Sequence, residues 1–142
     1  MELSNTLLIA APPERVWQAL QDPEQLRRAM PMIKMMHQRA NKQIDLQILI
    51  ELGYLRRIVG GHLWMASLEP GRQLRLNGSL TRRVSGECLI TLEPEADGSR
   101  LNYTLRAEVN LVGMALGSFL IKRSAEKMTA GFFESLAQNL QA

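Results

Sequence analysis

The segment RLNYTLRAEVNL, residues 100–111, alternates without a break. Leu101, Tyr103, Leu105, Ala107, Val109 and Leu111 fall on one face, and Asn102, Thr104, Arg106 and Glu108 on the other. A period of two over this length demands a strand with one dry and one wet face. The same period governs QIDLQILIEL (Ile44, Leu46, Ile48, Ile50, Leu52), RQLRLNGSL (Leu74, Leu76, Gly78, Leu80) and RVSGECLITLE (Val84, Gly86, Cys88, Ile90, Leu92). Turn signals part these runs at Gly53, at Glu69-Pro70-Gly71 and at Ala96-Asp97-Gly98-Ser99. Short strands joined by tight turns make an antiparallel sheet with one solvated side. Residues 54–66 also read as a strand, but Gly60-Gly61 predicts a bulge or sharp bend there. That leaves open whether His62 and Trp64, or Leu63 and Met65, face inward.

Helical signals flank this block. ELSNTLLI, residues 2–9, is a strand stopped by Pro12 and Pro13, and PPERVWQAL then starts a helix, with proline in the first turn and Glu14 at the positive end of the dipole. Asp22-Pro23 caps a second short helix, DPEQLRRAM, which Pro31 closes. From about Val112 the period returns to 3.6. Leu116, Leu120, Met128, Phe132, Leu136 and Leu140 form one stripe with Phe119 and Phe133 beside it, a helix of about 27 residues, or roughly 40 Å. The predicted order is strand, two short helices, about six antiparallel strands and one long helix. One helix covers only part of a curved sheet's apolar face, so an interior cavity between them is expected.

A chain of 142 residues with 46% hydrophobic content is one domain, 1–142, with enough core to fold without disulfides. Its single cysteine, Cys88, excludes an internal disulfide and points to a reducing cytoplasm. The start, MELSNTLLIAAPPE, lacks a basic leader. No run approaches the roughly 20 apolar residues of a membrane span; the longest, LVGMALGSFLI, meets Lys122 and Arg123. Basic residues pair at Arg27-Arg28, Arg56-Arg57, Arg82-Arg83 and Lys122-Arg123. These are either solvated turns and helix faces or a basic rim for acidic lipid headgroups or an acidic partner, peripheral at the inner face of a membrane. Aromatics at 5% supply no stacking platform, so nucleic acid is not an expected partner.

The residues offer little to catalysis. His37 and His62 are the only histidines and form no helix-borne metal pair. No cofactor or metal site is expected. Cys88 on an apolar strand face reads as a buried, inert thiol. Tyr103 lies on an apolar face and needs a partner for its hydroxyl, either a structural hydrogen bond or a ligand headgroup. The stretch AMPMIKMM, residues 29–36, sets four pliable methionines around Pro31. They either fill core or form a compliant gate to a site whose occupant is apolar and variable in shape. In a strand starting near Met32, Met35 and Met36 point to opposite faces.

The chain resembles the helix-grip superfamily of START domains, birch-pollen-allergen-like proteins and polyketide cyclases, and within it the family of the carbon monoxide dehydrogenase G subunit. The resemblance covers essentially the whole chain. It is carried by APPERVWQALQDPEQLRRAMP, LGYLRRIVGGHLWMASLEPGRQLRLNG, GSRLNYTLRAEV and GMALGSFLIKRSAEKMTAGFFESL, with Gly113-x-x-x-Gly117 and Phe132-Phe133 pointing to that narrower family. Pro31-Met32 stands where the family usually has proline-glycine. The sequence ends at Ala142, so the membrane-associating tail of many members is not carried over. The implied fold is α+β, a curved antiparallel sheet wrapped around a long C-terminal helix with two short helices after strand 1. The implied function is binding of a hydrophobic small molecule or lipid, with recruitment of a molybdenum hydroxylase to the membrane or help in its maturation. The expected lining is Met30, Met32, Ile48, Leu76, Cys88, Tyr103, Leu116, Phe119, Leu120 and Phe132. Two rivals stand beside a non-catalytic binder. One is a cyclase- or hydratase-type enzyme, which needs His62 and Tyr103 both inside the cavity. The other is an assembly factor that docks a protein through the basic pairs.

Overall fold

β1 (Glu2–Ile9) lies at one edge of a seven-stranded antiparallel sheet and β2 (Ile33–Gln38) at the other, in a computed structural model that describes residues 1–52, 54–110 and 118–141. The side chains of Leu52, Ser118 and Phe119 are outside that description. α1 (Pro13–Leu20) and α2 (Pro23–Ala29) carry the chain from one edge to the other. It then returns strand by strand through β3 (Ile44–Leu52), β4 (Leu55–Glu69), β5 (Gln73–Leu80), β6 (Val84–Glu95) and β7 (Gly98–Val109). β7 pairs with β1 from Ser99↔Ile9 to Arg106↔Glu2, so the first and last strands lie side by side at one edge. α3 (Ser118–Gln141) follows. The curved sheet, two short helices and long helix agree with the sequence expectation. The part of that helix expected before Ser118 falls outside the described residues.

The short helices are set by their caps. Pro12, extended at φ −66° and ψ 153°, precedes Pro13 at the first helical position of α1. The Asp22 side chain accepts a hydrogen bond from the Glu24 amide at 3.0 Å and starts α2. Met30, extended before Pro31, ends it. Ser99 is fully buried, and its Oγ donates to the Ala11 carbonyl at 2.6 Å, tying the start of β7 to the β1–α1 joint. Gly98 beside it has φ +153°, and a Cβ there would lie 2.0 Å from the Ile9 carbonyl oxygen.

The expected bulge at Gly60-Gly61 is absent. β3 and β4 stay in register through Leu46↔Gly61 and Gln47↔Gly60. The irregularities fall instead between Ile33 and Met35 and between Ser67 and Glu69. Gly61 serves close approach: an added Cβ would sit 2.4 Å from the Ser79 carbonyl oxygen. Continuous register settles the facing of β4. Leu63 pairs with buried Ile44, and Met65 packs against the core, while His62 and Trp64 are exposed on the outer face.

The core occupies one end of the concave face. Leu74, Ile90, Leu92 and Leu101 from the sheet meet Val16 and Leu20 of α1 and Phe133, Leu136 and Leu140 of α3. Further along the same face burial falls away, and Leu76, Cys88, Leu105, Leu80 and Val109 are half-buried. α3 shows the same gradient, buried at Phe133, Leu136, Ala137 and Leu140 but only half-buried at Leu120, Ile121, Ala125 and Met128. Leu136→Ala removes a fully buried side chain from the packed end. It is expected to lower unfolding stability by about 2–5 kcal/mol with the urea m-value unchanged, as measured by equilibrium denaturation.

Candidate functional site

Where the packed end gives way, a half-open groove of about 440 Å³ lies between the α2–β2 connection and one face of α3. Ala29, Met30, Pro31 and Met32 form one wall, and Ser124, Lys127, Met128, Gly131, Phe132 and Ser135 the other, with Glu51 of β3 at the rim. The α2 cap places the first wall, because Pro31 forces the chain out of the helix and turns Met30 and Met32 toward α3. The second wall follows helical spacing at i, i+3, i+4, i+7, i+8 and i+11. The groove floor is thus thioether and phenyl, and its edges are hydroxyl, ammonium and carboxylate.

An aromatic relay joins the groove to the core. Phe132 meets Phe133 edge-on, with ring centroids 4.9 Å apart, and Phe133 stacks on Tyr103 at 4.2 Å and 11°. Tyr103 is 6% exposed, and burial pushes its phenol above the ordinary value while a hydrogen bond with Asn5 pulls it down. Leu76 and Cys88 are direct cross-strand neighbours on the half-buried stretch of the concave face. Burial raises the Cys88 thiol to about 12, so it stays protonated at neutral pH.

Of the expected lining, the structure brings Met30, Met32 and Phe132 together in the groove. Leu76 and Cys88 share the concave face, Leu120 is half-buried on α3, and Tyr103 is built into the core. Ile48, 5% exposed, is packed between Ile33 and Val59 on the neighbouring strands and does not reach the groove. Leu116 and the Phe119 side chain lie outside the described residues. Met35 is exposed, whereas Met36 is half-buried opposite Leu46, so these two do point to opposite faces. The polar groove residues Glu51, Ser124, Lys127 and Ser135 were not anticipated. Their signal was the small and polar positions at helical spacing beside Met128 and Phe132.

His62 does not face Tyr103. It sits on the outer face with Nδ1 2.9 Å from Asp45 Oδ1, and Gln43 Nε2 donates to the same oxygen at 3.0 Å. Arg39 Nε donates to Asp45 Oδ2. The hydrogen bonds from Arg39, and then from His62, hold the Asp45 carboxyl down at about 2. Among the described residues no group of three or more His, Cys, Asp or Glu is placed to hold a metal ion. No helix among them is long and apolar enough to cross a membrane.

The CoxG family profile, that of the carbon monoxide dehydrogenase G subunit, matches residues 6–141. No curated protein matches the chain. Among solved structures, a conserved protein from Geobacillus kaustophilus is 21% identical, with 99% of this chain and 95% of that one covered and a TM-score of 0.84. A START superfamily protein from Mycobacterium smegmatis is 15% identical, with 99% and 97% covered and a TM-score of 0.71. The Zhui aromatase/cyclase from a Streptomyces species is 12% identical, with 99% and 93% covered and a TM-score of 0.72. At these identities the likeness is one of fold: the START-like helix-grip arrangement.

Two measurements test the electrostatic reading of these groups. The Asp45 carboxyl titrates lower in the folded chain, about 2 against 3.8, so its network stabilises the fold above 3.8 and stops doing so as pH falls through about 2. The melting-temperature advantage of the wild type over Asp45→Asn is expected to be full at neutral pH and to shrink across that window; an advantage that persists at pH 2 would refute it. Cys88 is expected to resist iodoacetamide at pH 8 in the folded protein and to react at the rate of a free thiol in denaturant.

Proposed function

The chain belongs to the CoxG family, that of the carbon monoxide dehydrogenase G subunit, and from that premise we propose that it binds a hydrophobic small molecule, lipid or quinone-like, without transforming it. The ligand lies between α3 and the half-buried stretch of the concave face, and it enters past Met30 and Met32. The observation that carries this reading is the burial gradient. The same sheet face and the same helix are fully packed at one end and half-buried at the other, and a methionine-walled groove opens at the changeover. Methionine side chains adapt to an apolar guest of irregular shape. At about 25 cal/mol per Å², burying about 300 Å² of apolar ligand surface supplies about 7.5 kcal/mol before the cost of ordering it.

A binder is favoured over a cyclase-type enzyme by the chemistry of the interior. Burial pushes the Cys88 thiol up, the Tyr103 ring is stacked into the core on Phe133, and His62 points away. The family's description adds a partner to the proposal. The protein acts as an accessory to a molybdenum hydroxylase, in its recruitment to the membrane or its maturation, with the bound apolar molecule as the link.

Organic extraction of protein purified without detergent, followed by mass spectrometry, is expected to release an apolar molecule in stoichiometric amount. Met32→Glu and Met128→Glu are expected to cut its retention at least tenfold while the melting temperature moves by only a few degrees. Retention and stability lost in equal measure would make the methionines ordinary core and overturn the groove as entrance.

A further inference from the structure

The outer end of the β3–β4 hairpin is a two-stranded ribbon. β5 stops pairing with β4 at Gly61↔Leu80, with one further bond from the Thr81 amide to the Gly60 carbonyl. On the other side, β2 reaches no further along β3 than Leu49, whose amide donates to the Met32 carbonyl. Beyond these points residues 50–52 pair only with residues 55–57, closing at Leu52↔Leu55, while Ile58 and Val59 at the root pair with Leu49 and Ile48 and have no β5 residue on their other side. At about 3.3 Å per residue β4 runs roughly 15 Å past its last pairing with β5, and the purely two-stranded part is about 10 Å long. Exposed side chains stand on both faces, Arg56 and Ile58 on one and Arg57 on the other, with Tyr54 at the turn, while Ile50 and Leu55 beside Arg57 are half-buried.

What this projection exposes is unusual for a water-facing tip. Tyr54 is 83% and Ile58 57% exposed. The Arg56 side chain is 73% exposed, and its one carboxylate neighbour among the described residues, Glu51, stands at 3.7 Å, an exposed pair of little strength. Arg57 is exposed and has no carboxylate partner among the described residues. A tyrosine, an isoleucine and two arginines on a narrow tip match the depth profile of a bilayer surface. The apolar side chains enter the headgroup boundary, the phenol stays at the interface, and the guanidiniums meet lipid phosphates and serine carboxylates. Glu51 belongs to the ribbon and also lines the groove, so the tip stands at the groove's rim. Lys127, on the opposite wall, is exposed and likewise without a carboxylate partner among the described residues.

We propose that the β3–β4 tip, Tyr54 to Ile58, is a docking surface for an anionic lipid bilayer. It holds the groove mouth against the membrane. The role given to docking rests on the apolar-ligand reading, since the bilayer is the phase from which such a ligand is drawn. The surface itself stands on the ribbon's exposure and charge.

The test is co-sedimentation of the whole chain with ligand-free vesicles, either of phosphatidylcholine alone or with about a third phosphatidylserine. The wild type is expected to bind the anionic vesicles and to leave them at about 0.5 M salt. Arg56→Glu with Arg57→Glu, and separately Tyr54→Ser with Ile58→Ser, are each expected to weaken binding at least tenfold. Arg82→Glu, at the β5–β6 turn, changes it less than twofold. The proposal is overturned if the wild type ignores anionic vesicles at low salt, if both tip variants bind as it does, or if Arg82→Glu weakens binding as much as they do. Extraction of the same proteins separates the two readings. Ligand retained without vesicle binding removes the docking surface and keeps the groove. Vesicle binding by an empty protein keeps the surface and removes the groove.

Discussion

The stacking of Phe133 on Tyr103 fixes where α3 meets the sheet, and most of the interior follows from that anchor. Below it, Leu136 and Leu140 complete a close-packed core with α1 and the ends of β5, β6 and β7. Above it, α3 carries Met128, Ala125 and Leu120, which are only half-buried, as are Leu76 and Cys88 on the sheet. One well-packed end gives the domain its stability and lets the other end depart from native packing density. A helix docked evenly along its length would leave no room for a guest.

The polar groups sort by the same division. Inside, burial pushes the Cys88 thiol and the Tyr103 phenol further from ionisation. Charge is displaced to the outer face and to the rims. There Asp45 gathers Arg39, Gln43 and His62, and Glu93 and Glu95 share Arg100. Such exposed pairs contribute little to stability singly. Their consequence is dielectric: among the described residues no charged side chain is buried in the core.

The strands, the two short helices and the long one were legible because each is written in a period or a cap. Leu101 to Val109 alternate, Asp22-Pro23 caps, and Phe132 to Leu140 repeat at helical spacing. What alternation encodes is face, and it says nothing of depth along a strand. Tyr103, Leu76 and Cys88 share one face, yet Tyr103 ended in the core while the other two lie on the half-buried stretch. Ile48 has the right parity for the interior and is consumed by packing between Ile33 and Val59. Gly60-Gly61 was misread because glycine in a strand signals either a bulge or a close approach, and here Ser79 and Leu80 crowd Gly61. The real irregularities, at Ile33/Met35 and Ser67/Glu69, carry no glycine to announce them. Lys127 and Ser135 were hidden by their chemistry, being ordinary residues for a helix surface until Met30 and Met32 are placed opposite them.

The pairing of β1 with β7 has a consequence for how the chain comes to be folded. Glu2 sits opposite Arg106, and every residue of β1 has its partner about a hundred positions later in the sequence. On a ribosome that adds roughly 5–20 residues per second, the first strand emerges and then waits some seconds with both edges unpaired. During that interval β2 to β6 can zip up hairpin by hairpin, because their contacts are local. The last long-range closure then traps α1 and α2 beneath it. The nascent chain passes through a stage with a meander formed, its interior uncovered and an orphan strand at its head. That stage is the one at which aggregation competes with folding, and the alternation of Ser4 and Thr6 with Leu3 and Leu7 keeps one face of the waiting strand polar.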